Sequence, residues 1–428
     1  MHVLLFTIGS HGDVHPFVGL GITLRRRGHR VTLITNEHFK PLAEQAGLEF
    51  AVMGTDEQFR QMLNDPDLWH KYRGFDAVFM RGVIPFLEES YRIIESLYVP
   101  GETVMAASTL GLAARIAQEK LGIPTASVHI QPAIMRTVHD LPKLPGLPMG
   151  RWMPKWFRKW IWDGGDKYFL DPKLGPPING LRSTLGLKEP VSGIMNEWWH
   201  SPDRIIGLWP EWFGPRQPDW PERLAIAGFP LFDEEGITLL SDELDAWLRA
   251  GEPPIAFTPG SAMIQGASFF AESARACVQL KRRGLLLTRH ADQIPRDLPP
   301  QVKHVDYAPF STLLPRCAAL VHHGGIGTTA QTLRAGIPQL IMPMSHDQFD
   351  NAHRVKKLGV GDEIKLSRYR AAEVARLLQP LLGSPEVRES CRRISGKFAG
   401  QNALETAAEL IENLPSAQLP QSPILSKN

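Results

Sequence analysis

The sequence AALVHHGGIGTTAQTLRAGIPQLIMPMSHDQFDNA, residues 318–352, decides the predicted fold because it has the pattern of one βαβ unit. It divides into an apolar strand (residues 318–321), a glycine-rich turn (322–327), a helix (328–334) and a second apolar strand (339–344). Gly336 is a helix stop, and Pro338 follows it where the helix cannot continue. Two buried strands joined by a short helix are typical of a parallel α/β sheet.

The turn of this unit has the composition of an anion site. Gly325 and Gly327 let the backbone approach an oxygen closely, and the helix that follows directs free N–H groups and its positive dipole end at the same point. Thr328 and Thr329 add hydroxyl donors, and His323 lies at the strand end. The unit therefore predicts a bound phosphate or another anionic group at this turn.

The overall composition is that of an ordinary globular protein, with 428 residues, 43% of them hydrophobic and 21% charged. This length predicts two domains, and a net charge of only +2 gives no indication of nucleic-acid binding. Cys277, Cys317 and Cys391 are too widely spaced to indicate a zinc site or a disulfide framework. The sequence has no recognisable signal peptide or membrane-spanning run, so we expect a cytoplasmic protein.

The alternation of strands and helices is present in both halves of the chain. The first half opens with a buried strand (residues 3–8), a polar loop GSHGDVHP (9–16) and a helix (17–27). We predict an α/β protein with two Rossmann-like parallel-sheet domains that face each other across a cleft. The predicted parts are an N-terminal domain (residues 1–228), a linker (229–252), a C-terminal domain (253–398), a C-terminal helix (399–414) and a disordered tail (415–428).

Two polar residues, Asp347 and Gln348, follow the second strand of the βαβ unit. Because the carboxyl ends of parallel strands meet at one edge of a sheet, we expect them to lie near His323. A carboxylate and an amide suit the hydroxyl groups of a sugar, and a sugar beside a diphosphate is a nucleotide sugar. The alternative is that Asp347 only caps the next helix. GIGTTA also matches the dinucleotide fingerprint, but that match alone is a weak indication of NAD.

The N-terminal loop GSHGDVHP carries three candidate bases, His11, Asp13 and His15. Glycosyl transfer with inversion needs a base that takes the proton of the acceptor hydroxyl as this oxygen attacks the anomeric carbon. Asp13 follows a glycine at the carboxyl end of a strand, so it is the strongest of the three candidates. Its alternative role is to cap the next helix.

These motifs resemble those of the UDP-glycosyltransferase superfamily, whose members have the GT-B fold. HHGGIGTT through HDQFDNA is similar to the donor-binding signature of the superfamily. GSHGDVHP is similar to the GSRGD-x-x-P opening of its sterol glucosyltransferase and glycopeptide glycosyltransferase branches. FPLFDEEG, PPIAFTPGS and INGLRSTLGL also resemble these branches, so the similarity extends over most of the chain and is weakest at residues 130–175.

The resemblance implies a donor-binding role for each matching residue of the C-terminal half. His323 contacts the donor diphosphate, and Gln331 stands where many members have a glutamate that holds the ribose hydroxyls. Asp347 and Gln348 hold the hydroxyls of the transferred sugar. The other implied donor residues surround the phosphates, at Gly260, Ser261, Gly325, Gly327, Thr328 and Thr329.

The resemblance also implies that Asp13 is the catalytic base, a position held by histidine in many members. His11 occupies the arginine position of GSRGD and is the second catalytic candidate. Members with a histidine base use a partner aspartate after a later strand, but ETVMAAST, residues 102–109, offers none. Asp13 is therefore expected to act alone. The tryptophan that often stacks on uracil is absent as well, and residues 305–308 occupy its place.

No metal and no other cofactor is implied beyond a UDP-sugar or dTDP-sugar as co-substrate. The helix N-terminus and His323 would offset the charge of the leaving diphosphate. A D-x-D motif at Asp65 and Asp67 lies in a polar segment rather than at a strand end, and we interpret it as a solvated loop.

The segment RWMPKWFRKWIW, residues 151–162, departs from the α/β pattern. Trp156 and Trp160 are four residues apart on one helical face and lie among basic residues. Three interpretations remain open. The segment is a lid whose two tryptophans contact an apolar acceptor, a peripheral contact with a membrane surface, or a helix packed on its own domain.

The sequence as a whole predicts an inverting glycosyltransferase. It would move a hexose, with glucose from UDP-glucose as the first expectation, to a hydroxyl of a lipophilic small-molecule acceptor such as a sterol, a terpenoid or a polyketide-like alcohol. One alternative is an epimerase that acts on the nucleotide sugar alone. Another is a binding protein that kept the donor pocket and lost catalysis.

Overall fold

The computed structural model describes residues 1–70, 72–147, 149–233, 240–260 and 266–414. The predicted disordered tail, the predicted donor residue Ser261 and residues 234–239 of the predicted linker lie outside the described residues. Within the described residues the chain forms two parallel β-sheets, one in each half. No helix in this part of the chain has both the length and the apolar character needed to cross a bilayer.

The N-terminal sheet contains seven described strands in the order β3-β2-β1-β4-β5-β6-β7, all parallel. They are β1 (His2–Phe6), β2 (Arg30–Thr35), β3 (Glu49–Val52), β4 (Thr103–Ser108), β5 (Thr125–His129), β6 (Arg204–Gly207) and β7 (Leu224–Ile226). The helices of this half are α1 (His11–Arg26), α2 (Lys40–Gln45), α3 (Asp56–Leu63), α4 (Leu87–Leu97), α5 (Leu112–Leu121), α6 (Lys155–Gly165) and α7 (Asp171–Thr184). Alternate residues of β1 enter two different hydrophobic cores, so helices cover both faces of the sheet.

The C-terminal sheet contains six described strands in the order β10-β9-β8-β11-β12-β13, again all parallel. They are β8 (Ile255–Thr258), β9 (Gly284–Leu287), β10 (Val302–Val305), β11 (Ala319–His322), β12 (Gln339–Ile341) and β13 (Gly361–Glu363). The helices are α8 (Asp242–Arg249), α9 (Ala267–Leu280), α10 (Phe310–Leu313), α11 (Ile326–Ala335), α12 (Gln348–Leu358), α13 (Ala371–Gly383), α14 (Pro385–Gly396) and α15 (Ala403–Glu412).

Both sheets have a switch point, where the strand order reverses direction. It lies between β1 and β4 in the N-terminal sheet and between β8 and β11 in the C-terminal sheet. Ligands of open parallel sheets bind at the carboxyl ends of the strands beside such a point. The GSHGD motif follows β1 and the HGGIG turn follows β11, so the two strongest sequence motifs lie at the two switch points.

The first helix begins earlier than the sequence pattern predicts. Residues 9–16 were expected to form a loop, but α1 starts at His11 and includes Pro16 as its sixth residue. A proline there removes only the hydrogen bond to the carbonyl of Gly12, in the first turn of the helix. Asp13 is consequently in the first turn of α1, not in a loop.

Contacts between the two halves hold the switch points face to face. Asp350 of α12 accepts a hydrogen bond from the backbone N–H of Lys143 at 3.0 Å, and its other oxygen pairs with Arg354 at 2.6 Å. Helix α15 returns to the N-terminal half, where Glu412 pairs with Arg27 at 2.6 Å. The predicted fold class, two parallel-sheet α/β domains facing across a cleft, is confirmed.

Candidate active site

A large cavity lies between the carboxyl edges of the two sheets and is lined from both sides. Asp13 lines it from the N-terminal half, and Gly260 and His323 line it from the C-terminal switch point. The predicted site residues that the structure brings to this cavity are His11, Asp13, Trp160, Gly260, His323, Gly325, Gly327, Thr328, Gln331, Asp347 and Gln348. Most of the predicted donor and catalytic residues therefore share one space.

The ring of His323 is held in a slot that two glycines leave open. A Cβ atom at Gly325 would lie 2.6 Å from His323 Nε2, and one at Gly260 would lie 2.7 Å from Cε1. Gly260 also has a φ of +99°, which side-chain-bearing residues rarely adopt. Burial lowers the pKa of His323 to about 4, so the ring is neutral near pH 7. Its Nδ1 atom has no hydrogen-bond partner among the described residues.

The neighbouring His322 has a structural role, which explains the double histidine of the motif. Its Nδ1 atom accepts a hydrogen bond from the backbone N–H of Gly324 at 3.1 Å, and its Nε2 atom lies 2.8 Å from the side-chain oxygen of Gln339. Burial lowers the pKa of His322 to about 3. The residue thus joins β11, β12 and the glycine turn while His323 faces the cavity.

Helix α11 begins at the turn and presents its first residues to the cavity. Gly327 and Thr328 line the cavity, and so does Gln331, whose buried side-chain oxygen has no partner among the described residues. The prediction that Thr329 binds the donor is wrong. Thr329 is fully buried, and its hydroxyl donates to the carbonyl of Gly325 at 3.0 Å within the helix.

Asp347 and Gln348 lie at the start of α12, at the carboxyl end of β12. Asp347 occupies the N-cap position but makes no capping hydrogen bond with its side chain, so the interpretation of Asp347 as a helix cap is wrong. Its carboxylate accepts a hydrogen bond from Asn351 Nδ2 at 2.6 Å. The side-chain oxygen of Gln348 accepts from the N–H groups of Met344 and Ser345 at 2.8 and 3.1 Å, which leaves its amide N–H groups to donate to a ligand.

Burial raises the pKa of Asp347 to about 7, and the charge of Asp13 across the cavity adds to this shift. The folded state therefore keeps a proton that the unfolded chain loses near pH 4. The stabilisation from this proton is complete below the pKa that the Asp347 carboxyl has in the unfolded chain. It is lost as the pH rises through the pKa of the same carboxyl in the folded protein, about 7.

We expect Asp347→Asn, which mimics the protonated side chain, to raise the melting temperature of the unliganded protein. The gain should grow from about pH 4 to about pH 8, because only the wild type bears the cost of a buried charge at the higher pH. Thermal melts of both proteins across this range measure the effect. A difference in melting temperature that is independent of pH would contradict it.

Asp13 combines the two roles considered for it. Its Oδ2 atom accepts hydrogen bonds from the N–H and the hydroxyl of Ser10 at 2.8 and 3.2 Å, so it does cap α1. It also lines the cavity, and a Cβ atom at Gly9 would overlap the carboxylate. Burial raises the pKa of Asp13, and the hydrogen bonds from Ser10 oppose this shift. A half-buried carboxylate with a raised pKa is suited to accept a proton near neutral pH.

His11 lies in an aromatic cluster beside Asp13. Its ring contacts Phe39 and His38 edge to face, with centroid distances of 5.0 and 5.4 Å. His38 is itself held by Asp56, with Nδ1 2.8 Å from Oδ1. The cluster supports the wall of the cavity next to the first turn of α1.

Two further residues line the C-terminal half of the cavity and were missed by the motif analysis. The guanidinium of Arg289 lies 4.8 Å from the ring centre of Tyr307, and both residues follow strand ends. Their positions after β9 and β10 were the available signal. Tyr307 stands in the stretch where the motif analysis looked for the missing tryptophan.

The D-x-D motif is engaged with arginines. Asp65 pairs with Arg81 at 2.6 Å, and Asp67 pairs with Arg73 at 2.6 Å. Across the described residues, no group of three or more histidine, cysteine, aspartate or glutamate side chains is arranged to hold a metal ion.

The tryptophan segment forms α6 at the rim of the cavity. Trp156 and Trp160 are 72% and 64% exposed, whereas Arg158 and Trp162 of the same helix pack on its own domain, where the indole N–H of Trp162 donates to the carbonyl of Thr137 at 3.3 Å. Trp160 lines the cavity, whereas Trp156 does not. The prediction that both contact the acceptor is therefore corrected for Trp156, because its ring lies on the outer surface of α6.

Comparison with known proteins agrees with this geometry. Residues 3–139 match the model of the glycosyltransferase family 28 N-terminal domain, and residues 285–414 match that of the erythromycin biosynthesis protein CIII-like C-terminal domain. O-mycaminosyltylonolide 6-deoxyallosyltransferase of Streptomyces fradiae is 30% identical over 419 residues, which are 96% of this chain and 97% of that relative. The chain belongs to the GT-B glycosyltransferases of the UDP-glycosyltransferase superfamily. The family resemblance seen in the motifs is confirmed.

Other relatives of this glycosyltransferase include a sterol 3-beta-glucosyltransferase from Pichia angusta, 25% identical over 96% of this chain and 33% of the relative. Among solved structures, the glycotransferase of kitacinnamycin aligns with a TM-score of 0.73 at 21% identity, covering 97% of this chain and 99% of that one. A spinosyn rhamnosyltransferase complexed with thymidine diphosphate aligns with a TM-score of 0.68 at 18% identity, covering 96% and 100%. These structures support the fold.

Proposed function

We propose that this glycosyltransferase transfers a hexose, with inversion at the anomeric carbon, from a nucleoside diphosphate sugar to a hydroxyl of a lipophilic small molecule. The observation that carries the proposal is that Asp13 and Asp347, from opposite sheets, line one cavity and are close enough for their charges to interact. One carboxylate is placed to accept the acceptor proton, and the other to hold the sugar.

The C-terminal wall of the cavity supplies the donor site. The N-terminus of α11 and the neutral ring of His323 would face the diphosphate, and the unpartnered oxygen of Gln331 would accept a hydrogen bond from a ribose hydroxyl. Asp347 accepts and Gln348 donates hydrogen bonds, so together they match the hydroxyl groups of a hexose. The stacked pair of Arg289 and Tyr307 is suited to the flat nucleobase.

The reaction then follows from the placement of charge. Asp13 takes the proton of the acceptor hydroxyl while this oxygen forms a bond to the anomeric carbon. The bond from that carbon to the diphosphate breaks, and its electron pair leaves with the diphosphate. The helix N-terminus and the hydrogen bond from His323 stabilise the negative charge that develops there. We expect activity to persist when divalent cations are chelated.

The N-terminal wall of the cavity is largely apolar, which supports a lipophilic acceptor. Apolar side chains of the N-terminal half lie around it, among them Phe75, Val78, Phe79, Phe86, Leu110 and Met195. Relatives are named for a macrolide acceptor and for a sterol, which supports a bulky polycyclic or macrocyclic alcohol.

The donor expected from the motifs is UDP-glucose, whereas relatives named for 6-deoxyallose and rhamnose, one of them complexed with thymidine diphosphate, favour a dTDP-6-deoxyhexose. A thermal-shift panel of UDP-sugars, dTDP-sugars and NAD separates these donors, and mass spectrometry of a library of alcohols then detects the product. Stabilisation by NAD alone would contradict the proposal. Conversion of the donor without any acceptor would favour the epimerase, and donor binding without turnover would favour a binding protein.

The exposed face of α6 is proposed to have two separate contacts. Trp160 contacts the acceptor from the rim of the cavity, and Trp156, with the even more exposed Trp152 and basic neighbours, contacts a membrane surface peripherally.

Trp160→Ala and Trp156→Ala form a matched pair that tests this division. We expect Trp160→Ala to raise the acceptor KM about tenfold, because one aromatic contact of about 1.4 kcal/mol is lost. Trp156→Ala should leave that KM unchanged and reduce cosedimentation with vesicles that contain an anionic lipid. Equal effects of the two substitutions on the acceptor KM would contradict the assignment.

A further inference from the structure

A chain of hydrogen bonds lies behind the N-terminal wall of the cavity. The indole Nε1 of Trp199 donates to His200 Nε2 at 3.1 Å, His200 Nδ1 lies 2.9 Å from His129 Nε2, and His129 Nδ1 lies 2.9 Å from the hydroxyl of Thr109. Trp199, His200 and His129 are buried, and the two ends of the chain, Trp199 and Thr109, line the cavity. None of these residues has a part in the proposed proton transfer.

The direction of every hydrogen bond in this chain is fixed by the tryptophan. An indole N–H donates and cannot accept, so His200 Nε2 must be the acceptor and the proton of neutral His200 must be on Nδ1. That proton is donated to His129 Nε2, which places the single proton of His129 on Nδ1, directed at the oxygen of Thr109. Both histidines are neutral, because burial lowers the pKa of His129 to about 3 and that of His200 to about 2.

The consequence for Thr109 is that its oxygen already accepts one hydrogen bond, so its own proton is available to a ligand. The hydroxyl makes no other hydrogen bond to a described residue. Its place in the sheet brings it close to the reacting groups. β1 pairs with β4 so that Phe6 is opposite Ala107, and the backbone N–H of Ile8 reaches Ser108 at 3.4 Å. Thr109 therefore lies at the switch point, beside the turn that leads to Asp13.

We propose that Thr109 positions the acceptor, donating from its hydroxyl a hydrogen bond whose direction is fixed by Trp199, His200 and His129. The partner is an oxygen of the acceptor, since Thr109 is on the N-terminal wall of the cavity, opposite the donor residues. The chemical class of ligand is an alcohol that presents an oxygen lone pair to this wall while its reacting hydroxyl faces Asp13. This inference rests on the proposed function in placing the acceptor there.

The first experiment compares Thr109→Val, which keeps the shape and loses the hydroxyl, with Thr109→Ser, which keeps the hydroxyl. We expect Thr109→Val to lower kcat/KM for the acceptor about tenfold with the donor KM unchanged, the loss expected for one neutral hydrogen bond. Thr109→Ser should remain close to wild type. Wild-type acceptor kinetics in Thr109→Val, or a change in the donor KM alone, would overturn the proposal.

The second experiment tests the direction of the chain. ¹⁵N NMR of histidine-labelled protein distinguishes the two neutral tautomers, and His129→Gln and His200→Gln assign the signals. We expect the Nδ1–H tautomer at both positions, and a share of the Nε2–H tautomer at His129 in Trp199→Phe, which removes the fixed donor. Thr109→Val should then cost less in the Trp199→Phe background than in the wild type. An Nε2–H tautomer at His129 in the wild type would overturn the proposal.

Equilibrium binding of the acceptor separates this inference from the proposed function. In the Asp13→Asn background, where we expect transfer to be slow, Thr109→Val should still weaken acceptor binding about tenfold. If Thr109→Val weakens acceptor binding but Asp13→Asn is active, the assignment of Asp13 as the base is wrong and the positioning role of Thr109 is kept. Unchanged binding together with an inactive Asp13→Asn enzyme would remove the positioning role and keep the base.

Discussion

Asp13→Asn is expected to lower kcat by about 10²–10⁴-fold, the contribution of a general base, while the affinity for the donor stays nearly unchanged. Asparagine has almost the same shape, and its side-chain oxygen can still accept the hydrogen bond that the backbone N–H of Ser10 gives to Asp13 at 2.8 Å. The first turn of α1 therefore remains folded, and the loss is confined to proton transfer. Steady-state kinetics and donor binding by calorimetry measure the two quantities separately.

Ser10→Ala is the matched control for this substitution. It removes the hydroxyl that lies 3.2 Å from Asp13 Oδ2 but leaves the base in place. Since that hydrogen bond opposes the rise in the pKa of Asp13, its removal should shift the acid limb of the pH–kcat/KM profile to higher pH with little change in the maximal rate. Activity of Asp13→Asn near the wild-type level, or a loss of donor affinity as large as the loss of kcat, would contradict the base assignment.

The parallel fold and most of the C-terminal wall of the cavity could be predicted because they depend on short-range patterns. Strand-helix alternation implies parallel strands, and parallel strands bring every residue that follows a strand to one edge. This reasoning placed Asp347 near His323, 24 positions earlier in the chain, and the structure has both residues in one cavity. The same rule applies to Arg289 and Tyr307, which follow the ends of β9 and β10 without any recognised motif.

The features that were missed depend on local geometry or on distant contacts. The first helix was predicted to start after Pro16, but a proline near the N-terminus of a helix removes only one hydrogen bond, and α1 starts at His11. Helical spacing placed Trp156 and Trp160 on one face, yet only Trp160 lines the cavity, whereas the ring of Trp156 is 72% exposed on the outer surface. Thr329 was predicted to bind the donor together with Thr328 because both follow the glycine turn. A step of one residue rotates the side chain by about 100° around the helix axis, however, and this rotation turns Thr329 into the core.

The chain from Trp199 to Thr109 was also missed, for a different reason. His129 and His200 are 71 residues apart, and only the pairing of β5 beside β4 brings His129 to Thr109. Residues 102–109 contain no aspartate, and nothing in that stretch indicates that its last residue is a hydroxyl backed by two neutral histidines.

Gly325→Ala is expected to lower kcat/KM for the donor by about 10²-fold, nearly as much as His323→Ala, because both act on the same ring. The backbone of Gly325 has φ −59° and ψ 142°, which alanine adopts without strain. The three nearest atoms to an added Cβ all belong to His323, with Nε2 at 2.6 Å. The ring must therefore leave its slot, and the proposed hydrogen bond from His323 to the diphosphate should be lost.

A double-mutant cycle distinguishes this mechanism from general damage to the glycine turn. In the His323→Ala background the ring is absent, so the Cβ added by Gly325→Ala loses its close contacts and the second substitution should cost almost nothing. Additive losses in the double variant would show instead that Gly325 acts through its backbone approach to the phosphate, independently of His323. Donor kinetics of the four proteins, with melting temperatures to confirm that each is folded, complete the measurement.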